Sequence, residues 1–189
     1  ASILAHNKKV EQGEIKEEKQ ELAIKGNIGC ELSICQDHQN HDLKDNGRSM
    51  VFLAKTKKGY HNLSKMSSIA HTDGFYYVPR IDKDIVAIYK EDLIVLSGGL
   101  RGEIADLILS VGERQAEEAI QWWKQQFDDD FYLQLMRHGL EEEKRVNDVL
   151  VRLARKYSVK LIAANDSHYL NKEDANAHDI LLCVKEAEL

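Results

Sequence analysis

The sequence predicts an α/β fold, in which short buried strands alternate with helices. Residues 92–97 form a continuous apolar run that ends at Gly98 and Gly99, which is typical of a strand buried on both faces. Residues 141–158 instead repeat apolar side chains at the helical spacing. Because the two patterns alternate along the chain, we expect parallel strands joined by helical crossovers, in a central sheet or barrel.

The predicted strands are short and apolar, and turn-forming or polar stretches separate them. A polar loop over 36–48 follows the first strand, and a second loop over 74–79 holds the only proline. In chain order, the predicted strands span 27–34, 49–54, 92–97, 131–137 and 159–164.

The predicted helices place apolar side chains on one face. A final helix is expected to begin at Asn171, because Asp174 three residues later resembles a capping box, and its Ile180, Leu181 and Val184 are predicted to face the core. The helices predicted before it span 57–70, 82–89, 101–111, 113–127 and 141–158.

Residues 1–23 differ in composition from the rest of the chain. They are rich in Lys and Glu, and their large apolar residues are scattered. The segment is predicted to be either a charged surface helix or an insertion. Residues 24–189 carry the regular strand and helix pattern, and 43% hydrophobic residues in 189 are enough for one domain with a core.

Composition excludes several classes of function. No apolar run reaches the roughly 18 residues of a membrane span, and the charged N-terminus is unlike a secretory signal, so we expect a cytoplasmic protein. The net charge is −6 and the sequence has no stripe of basic residues. If the parent protein binds DNA, we therefore expect its main DNA-binding surface to lie elsewhere. The three cysteines, Cys30, Cys35 and Cys183, lack the pairing of a zinc site and are predicted to be reduced and mostly buried.

Carboxylates and imidazoles follow the ends of three predicted strands. Glu31 lies near the end of the first strand, His138 follows 131–137, and Asp166 and His168 follow 159–164. Since functional groups of parallel α/β folds gather at the carboxyl ends of the strands, these side chains could together hold Zn, Mn or Fe, as in phosphoesterases. The alternatives are structural: Asp166 caps a turn, His168 is a partly buried histidine, Glu31 is an exposed carboxylate and His138 belongs to a turn.

The remaining histidines carry weaker signals. His38 and His41 lie in the polar loop beside acidic residues and are predicted to be solvated. Position alone therefore assigns no catalytic residue, and no Ser-His-Asp or Cys-His arrangement follows from the spacing.

Several long segments resemble successive parts of the PHP domain (polymerase and histidinol phosphatase) of bacterial DNA polymerase III alpha subunits. The match runs in order from about residue 24 to 185 and includes IGCE at 28–31, GFYYVPRID at 74–82 and NDSHY at 165–169. The resemblance implies a distorted (β/α)7 barrel with metal ions at the carboxyl ends of its strands. It implies that Glu31, Asp166 and His168 are metal ligands, and less securely His138.

The departures from this family point to a degenerate site. Its HxH motif and its aspartate-histidine-glycine turn should precede residue 1, so residues 24–189 are expected to form the C-terminal two-thirds or so of the domain, with the first strands missing. Ser49 stands where metal-binding members have a histidine, and Gly99 where they often have a cysteine. We expect any divalent metal site, for Zn or Mn, to be incomplete in this chain.

The resemblance implies part of a replicative DNA polymerase, a DNA-directed DNA polymerase that acts in DNA replication. In that family the catalytic aspartates of the polymerase belong to another domain. This chain is therefore expected to be a scaffold that contacts the rest of the alpha subunit and docks a proofreading exonuclease subunit. DNA is expected to bind through other domains. The alternative is a metal-dependent phosphoesterase, acting as a 3′–5′ exonuclease or a pyrophosphatase; a stand-alone phosphatase fits the segments less well. An incomplete barrel also predicts self-association through its open edge.

Overall fold

The structure is a computed structural model that describes Lys8 and residues 26–186. The predicted charged helix or insertion over 1–23 lies, apart from Lys8, outside the described residues. The six strands are β1 (Gly29–Ile34), β2 (Arg48–Ala54), β3 (Arg80–Ile81), β4 (Leu93–Leu96), β5 (Phe131–Leu135) and β6 (Lys160–Ala163).

Among the described residues, six helices accompany the strands, and single 3-10 or π turns connect some of them. The helices are α1 (Lys57–Thr72), α2 (Lys83–Tyr89), α3 (Glu103–Asp106), α4 (Glu113–Phe127), α5 (Glu141–Tyr157) and α6 (Ala175–Glu186). The π turn Leu107–Val111 continues α3, so the predicted helix over 101–111 is in fact three short pieces of different pitch.

The strands form one mixed sheet in the order β3-β1-β2-β4-β5-β6. Only β2 runs antiparallel to its neighbours, whereas the β1–β3, β4–β5 and β5–β6 pairs are parallel. The prediction of parallel strands is therefore wrong for β2. The physical reason is the connection over 35–47, which contains no helix, since a parallel neighbour requires a long crossover while a loop can join antiparallel strands.

Because β2 alone is reversed, the carboxyl ends of the other five strands lie along one edge of the sheet. Register sets which residues face each other near that edge: Glu31 of β1 pairs with Val51 of β2, which pairs with Leu96 at the end of β4. In the part of the chain that the structure describes, β3 and β6 each have one neighbour, so this sheet is open.

The helical stripes predicted from the sequence pack onto the sheet. Every member of the α4 stripe is buried, and Trp123 of that stripe contacts Phe52, Phe127 and Phe131 with ring centroids 5.9–6.3 Å apart. Burying each such apolar side chain stabilises the fold by about 1.5–3 kcal/mol. The core thus fixes the sheet and holds its carboxyl edge in place.

The last helix does not pack as predicted. Ile180, Leu181 and Val184 of α6 are 58–64% exposed, so the expectation that they face the core is wrong. Among the residues described, α6 contacts chiefly the 3-10 turn Lys172–Asp174 that precedes it, and no sheet face covers its apolar side chains. No helix in the described ranges combines the length and apolarity needed to cross a bilayer.

Candidate functional site

A cavity of about 440 Å³ opens at the carboxyl edge of the sheet and is called the rim pocket here. Three of the four residues predicted to be metal ligands line it: Glu31, His138 and Asp166. His138 and Asp166 come from the segments after β5 and β6, as predicted from the strand ends, whereas Glu31 lies within β1. Arg101 and Gln134 line the same cavity, and neither was singled out from the sequence.

The carboxylate of Glu31 is engaged by groups of the protein itself. The hydroxyl of Ser49, on the adjacent strand, donates a hydrogen bond to Glu31 Oε1. The guanidinium of Arg101 lies near the same oxygen, with Nη2 at 4.0 Å. Glu31 therefore has one neutral donor and one cation beside it, and its side chain remains about half exposed.

Asp166 lies near the same guanidinium nitrogen of Arg101 as Glu31 does. Its Oδ2 is 3.6 Å from Arg101 Nη2 and 3.3 Å from His168 Nε2. The ring of His168 stacks on His178 of α6 at 5.1 Å between centroids. The predicted Asp166–His168 pair thus forms, but His168 lies beside the rim pocket, next to α6.

His138 is held by a buried carboxylate that the sequence analysis missed. Its Nδ1 donates to Glu143 Oε1 at 2.7 Å, and its backbone N–H donates to Glu143 Oε2 at 2.6 Å. Burial raises the pKa of Glu143, but these two hydrogen bonds outweigh burial, so its pKa lies below the ordinary value of 4.5. A helical signal could have revealed Glu143, since it precedes the buried Val146 and Leu150 at spacings of three and seven.

Gln134 of β5 adds a buried amide to the rim pocket. The residue is only 6% exposed, and its backbone N–H donates to the Ser97 hydroxyl at 2.9 Å. Its side-chain Oε1 is the one buried side-chain oxygen or nitrogen within the described residues that lacks a hydrogen-bond partner. A buried acceptor without a donor is costly, and Gln134 is one of the residues that line the rim pocket.

A second group of polar side chains follows β1 and β3 at the same edge. Asp37, His38 and Asp82 place one potential metal-ligand atom each within 4.8 Å of the others. The prediction that His38 is solvated is wrong: it is buried, and its Nδ1 hydrogen-bonds to Asp82 Oδ2. The two-residue strand β3 leaves no periodic signal, which is why Asp82 was not recognised as a strand-end residue.

The Asp82 carboxylate is already well supplied with donors. Its Oδ1 accepts from the backbone N–H of Ile85 at 3.0 Å and so caps α2, while Oδ2 accepts from the His38 backbone and ring. Burial raises the pKa of Asp82, but the hydrogen bonds from His38 and Ile85 outweigh it and leave the pKa below 3.8. This arrangement fits a structural clamp between the loop over 35–47 and α2.

The family of the chain follows from a sequence comparison. The profile of a family described as "PHP domain" matches residues 6–138, well over half of the chain. The chain belongs to the PHP domain family. Membership agrees with the resemblance seen in the sequence and with a mixed α/β sheet.

This PHP domain is similar to three curated proteins named DNA polymerase III subunit alpha. The protein of Borreliella burgdorferi is 43% identical over 171 residues, which are 88% of this chain and 15% of the relative. The proteins of Treponema pallidum and Thermus aquaticus are 39% and 37% identical over 85% and 87% of this chain, and 14% of each relative. The PHP domain described here thus spans about one-seventh of the length of these relatives.

The donor set of this PHP domain does not fit a metal cluster as it stands. A divalent ion between Glu31 and Asp166 would lie next to the guanidinium of Arg101, which stays protonated at any physiological pH. The ion would also compete with the Ser49 hydroxyl for Glu31. The rim pocket therefore already contains a positive charge beside Glu31 and Asp166.

Proposed function

We propose that this PHP domain is a structural and docking domain of a replicative DNA polymerase alpha subunit, with a degenerate metal site. The observation that carries the proposal is the position of Arg101 between Glu31 and Asp166, at 4.0 and 3.6 Å. Carboxylates that are paired with a resident cation stabilise the rim of the sheet without metal chemistry. On this proposal the domain contributes folding and contacts to DNA replication, and none of its residues is catalytic.

The polymerase context is supported by the relatives, whose printed name is DNA polymerase III subunit alpha. We propose that DNA-directed DNA polymerase activity resides in other parts of such a subunit, in the cytoplasm. The net charge of −6 supports this division, because a surface that grips DNA needs clustered basic residues. DNA then contacts the subunit through domains other than this one.

The docking role is supported by apolar side chains that the described structure leaves uncovered. Within the described residues, β6 is an edge strand of the sheet. Large apolar side chains are exposed on β6, on the loop after it and on α6: Leu161, Leu170, Ile180, Leu181 and Val184. We propose that they pack against the rest of the alpha subunit, within a distorted (β/α)7 barrel whose other strands lie outside the described residues. Docking of a proofreading exonuclease subunit belongs to the same proposal. Self-association through the open edge remains a prediction, and sedimentation at rising protein concentration measures it.

A metal-dependent phosphoesterase is the second candidate, and one observation favours it. His138 donates through Nδ1 to the buried Glu143, which is the usual support of a histidine that binds metal through Nε2. With Zn or Mn at the rim pocket, such a site would act as a 3′–5′ exonuclease or a pyrophosphatase. Arg101 is the feature that this candidate does not explain.

Hydrolysis assays separate the two candidates. The protein is incubated with Mn²⁺ or Zn²⁺ and either a single-stranded oligonucleotide or pyrophosphate, alongside the Asp166→Asn variant. We expect the wild-type protein and the variant to give the same rate as buffer with metal alone. A wild-type rate clearly above that background and lost in Asp166→Asn would establish the phosphoesterase and remove the purely structural role.

A further inference from the structure

We propose that Arg101 is the resident cation of the rim pocket: its guanidinium takes the place of a divalent metal ion between Glu31 and Asp166, and its removal creates a cation site there. This inference deepens the proposed degenerate site and rests on it. Family membership implies metal ions at this edge, whereas the side chains of this chain supply their own positive charge. The difference between the family's metal ions and this pocket therefore depends on Arg101, and substitution of Arg101 tests it.

The backbone directs Arg101 to this position. Arg101 ends the 3-10 turn Gly99–Arg101, which follows β4 at the carboxyl edge. Gly98 and Gly99 have φ angles of 78° and 61°, in the left-handed region that glycine adopts readily. A Cβ on Gly98 would also lie 2.1 Å from the backbone oxygen of Ser49, so the turn needs glycine to pass this close to β2. The tight turn therefore brings residue 101 over the pocket.

Arg101 supplies the pocket with a positive charge without a metal ion. One atom, Arg101 Nη2, is the near neighbour of both Glu31 Oε1 and Asp166 Oδ2. The other carboxylate of the pocket, Glu143, is occupied by two hydrogen bonds from His138. A divalent ion placed between Glu31 and Asp166 would be repelled by the guanidinium, and arginine cannot give up its proton to relieve that repulsion.

Removal of the guanidinium leaves the carboxylate oxygens of Glu31 and Asp166 without a neighbouring arginine. Glu31 and Asp166 would lose their shared cation, and the amide oxygen of Gln134, buried in the same pocket, already lacks a hydrogen-bond partner within the described chain. Carboxylate and amide oxygens suit a hard divalent cation such as Mn²⁺. His138 lies in the same cavity with its ring fixed by Glu143. Arg101→Ala is therefore expected to convert the pocket into a cation site.

An exposed salt bridge is the ordinary alternative, since the Arg101 side chain is 70% exposed and many surface pairs contribute little to stability. The two interpretations differ in one measurable property. A surface salt bridge can be removed with no effect on metal affinity, whereas removal of a resident cation must raise that affinity.

The test is a titration with Mn²⁺ followed by electron paramagnetic resonance of the free ion. It compares wild type, Arg101→Ala, Arg101→Gln and the control Arg114→Ala, which removes another exposed arginine, paired with Glu118 on α4. We expect Arg101→Ala and Arg101→Gln to bind one Mn²⁺ at least about tenfold more tightly than wild type and Arg114→Ala, because a competing positive charge is gone. Addition of Asp166→Asn to Arg101→Ala should abolish the gain. Circular dichroism verifies that each variant is folded.

Three outcomes would overturn the inference. If the Arg101 variants bind Mn²⁺ no better than wild type, Arg101 is not what excludes the ion, yet the structural role of the domain stands. If Arg114→Ala gains affinity equally, the effect is one of net charge. If wild type itself binds one equivalent tightly and hydrolyses phosphoesters, both this inference and the proposed function fail.

Discussion

The Arg80→Met substitution is expected to lower the free energy of unfolding by about 3–4 kcal/mol, because it leaves buried backbone carbonyls without a donor. Arg80 is fully buried at the start of β3. Its guanidinium donates to four backbone oxygens, those of Gly74, Asp45, His38 and Asn40, at 2.8–3.3 Å. Methionine retains the apolar stem but satisfies none of these acceptors.

The measurement is urea denaturation followed by tryptophan fluorescence. The control is Arg114→Met, at an exposed arginine of α4, where a change below about 0.5 kcal/mol is expected. Arg80→Lys, which keeps a charge but presents fewer donors in a different geometry, should lie between wild type and Arg80→Met. A loss below about 1 kcal/mol for Arg80→Met would contradict the claim that this side chain holds the loop over 35–47.

Glu143→Gln is expected to destabilise the fold by about 2 kcal/mol at neutral pH, since both carboxylate oxygens accept charge-assisted hydrogen bonds from His138. The effect should depend on pH. The pKa of Glu143 in the folded protein lies below its ordinary value of 4.5, so the stability it contributes is fully present above that value and is lost as the pH falls through the folded pKa. The variant and the wild type should therefore converge in stability in acid.

Urea denaturation at a series of pH values measures this convergence. Glu142→Gln is the matched control, because Glu142 is the preceding residue on α5 and is exposed. We expect Glu142→Gln to follow the wild-type curve at every pH. If the difference between Glu143→Gln and wild type is the same in acid as at neutral pH, the hydrogen bonds from His138 do not hold the pKa of Glu143 down.

The elements that the sequence predicted well are those whose burial follows a strict period. Two apolar stripes repeat with the helix. The structure buries every member of the first, and in the second all but Tyr157, which is partly buried; the members are Ala116, Ala119, Ile120, Trp123 and Phe127, and Val146, Val149, Leu150, Leu153, Ala154 and Tyr157. Strand β3 was missed because two residues carry no period, and its pairing with β1 depends on contacts between residues 47 positions apart. The direction of β2 was missed because it depends on the connecting loop and not on the strand itself.

The candidate site was only partly predictable for a similar reason. His138 and Asp166 follow strands, so topology brings them to the rim pocket, and Glu31 reaches it from within β1. Arg101 and Gln134 were not predicted, because their positions depend on the folded structure. Arg101 reaches the pocket through the glycine turn after β4, and Gln134 reaches it from β5. His38 was misjudged because its burial depends on Arg80 and Asp82, which lie more than 40 residues away.

The central claim is that the carboxylates of the rim pocket are neutralised by the protein's own groups, above all by Arg101. Metal content by inductively coupled plasma mass spectrometry tests it most directly, on protein exposed to Zn²⁺ and Mn²⁺ and then dialysed. The account predicts far less than one metal ion per chain, with no difference between wild type and Asp166→Asn. One or more ions retained per wild-type chain, and lost in Asp166→Asn, would contradict it.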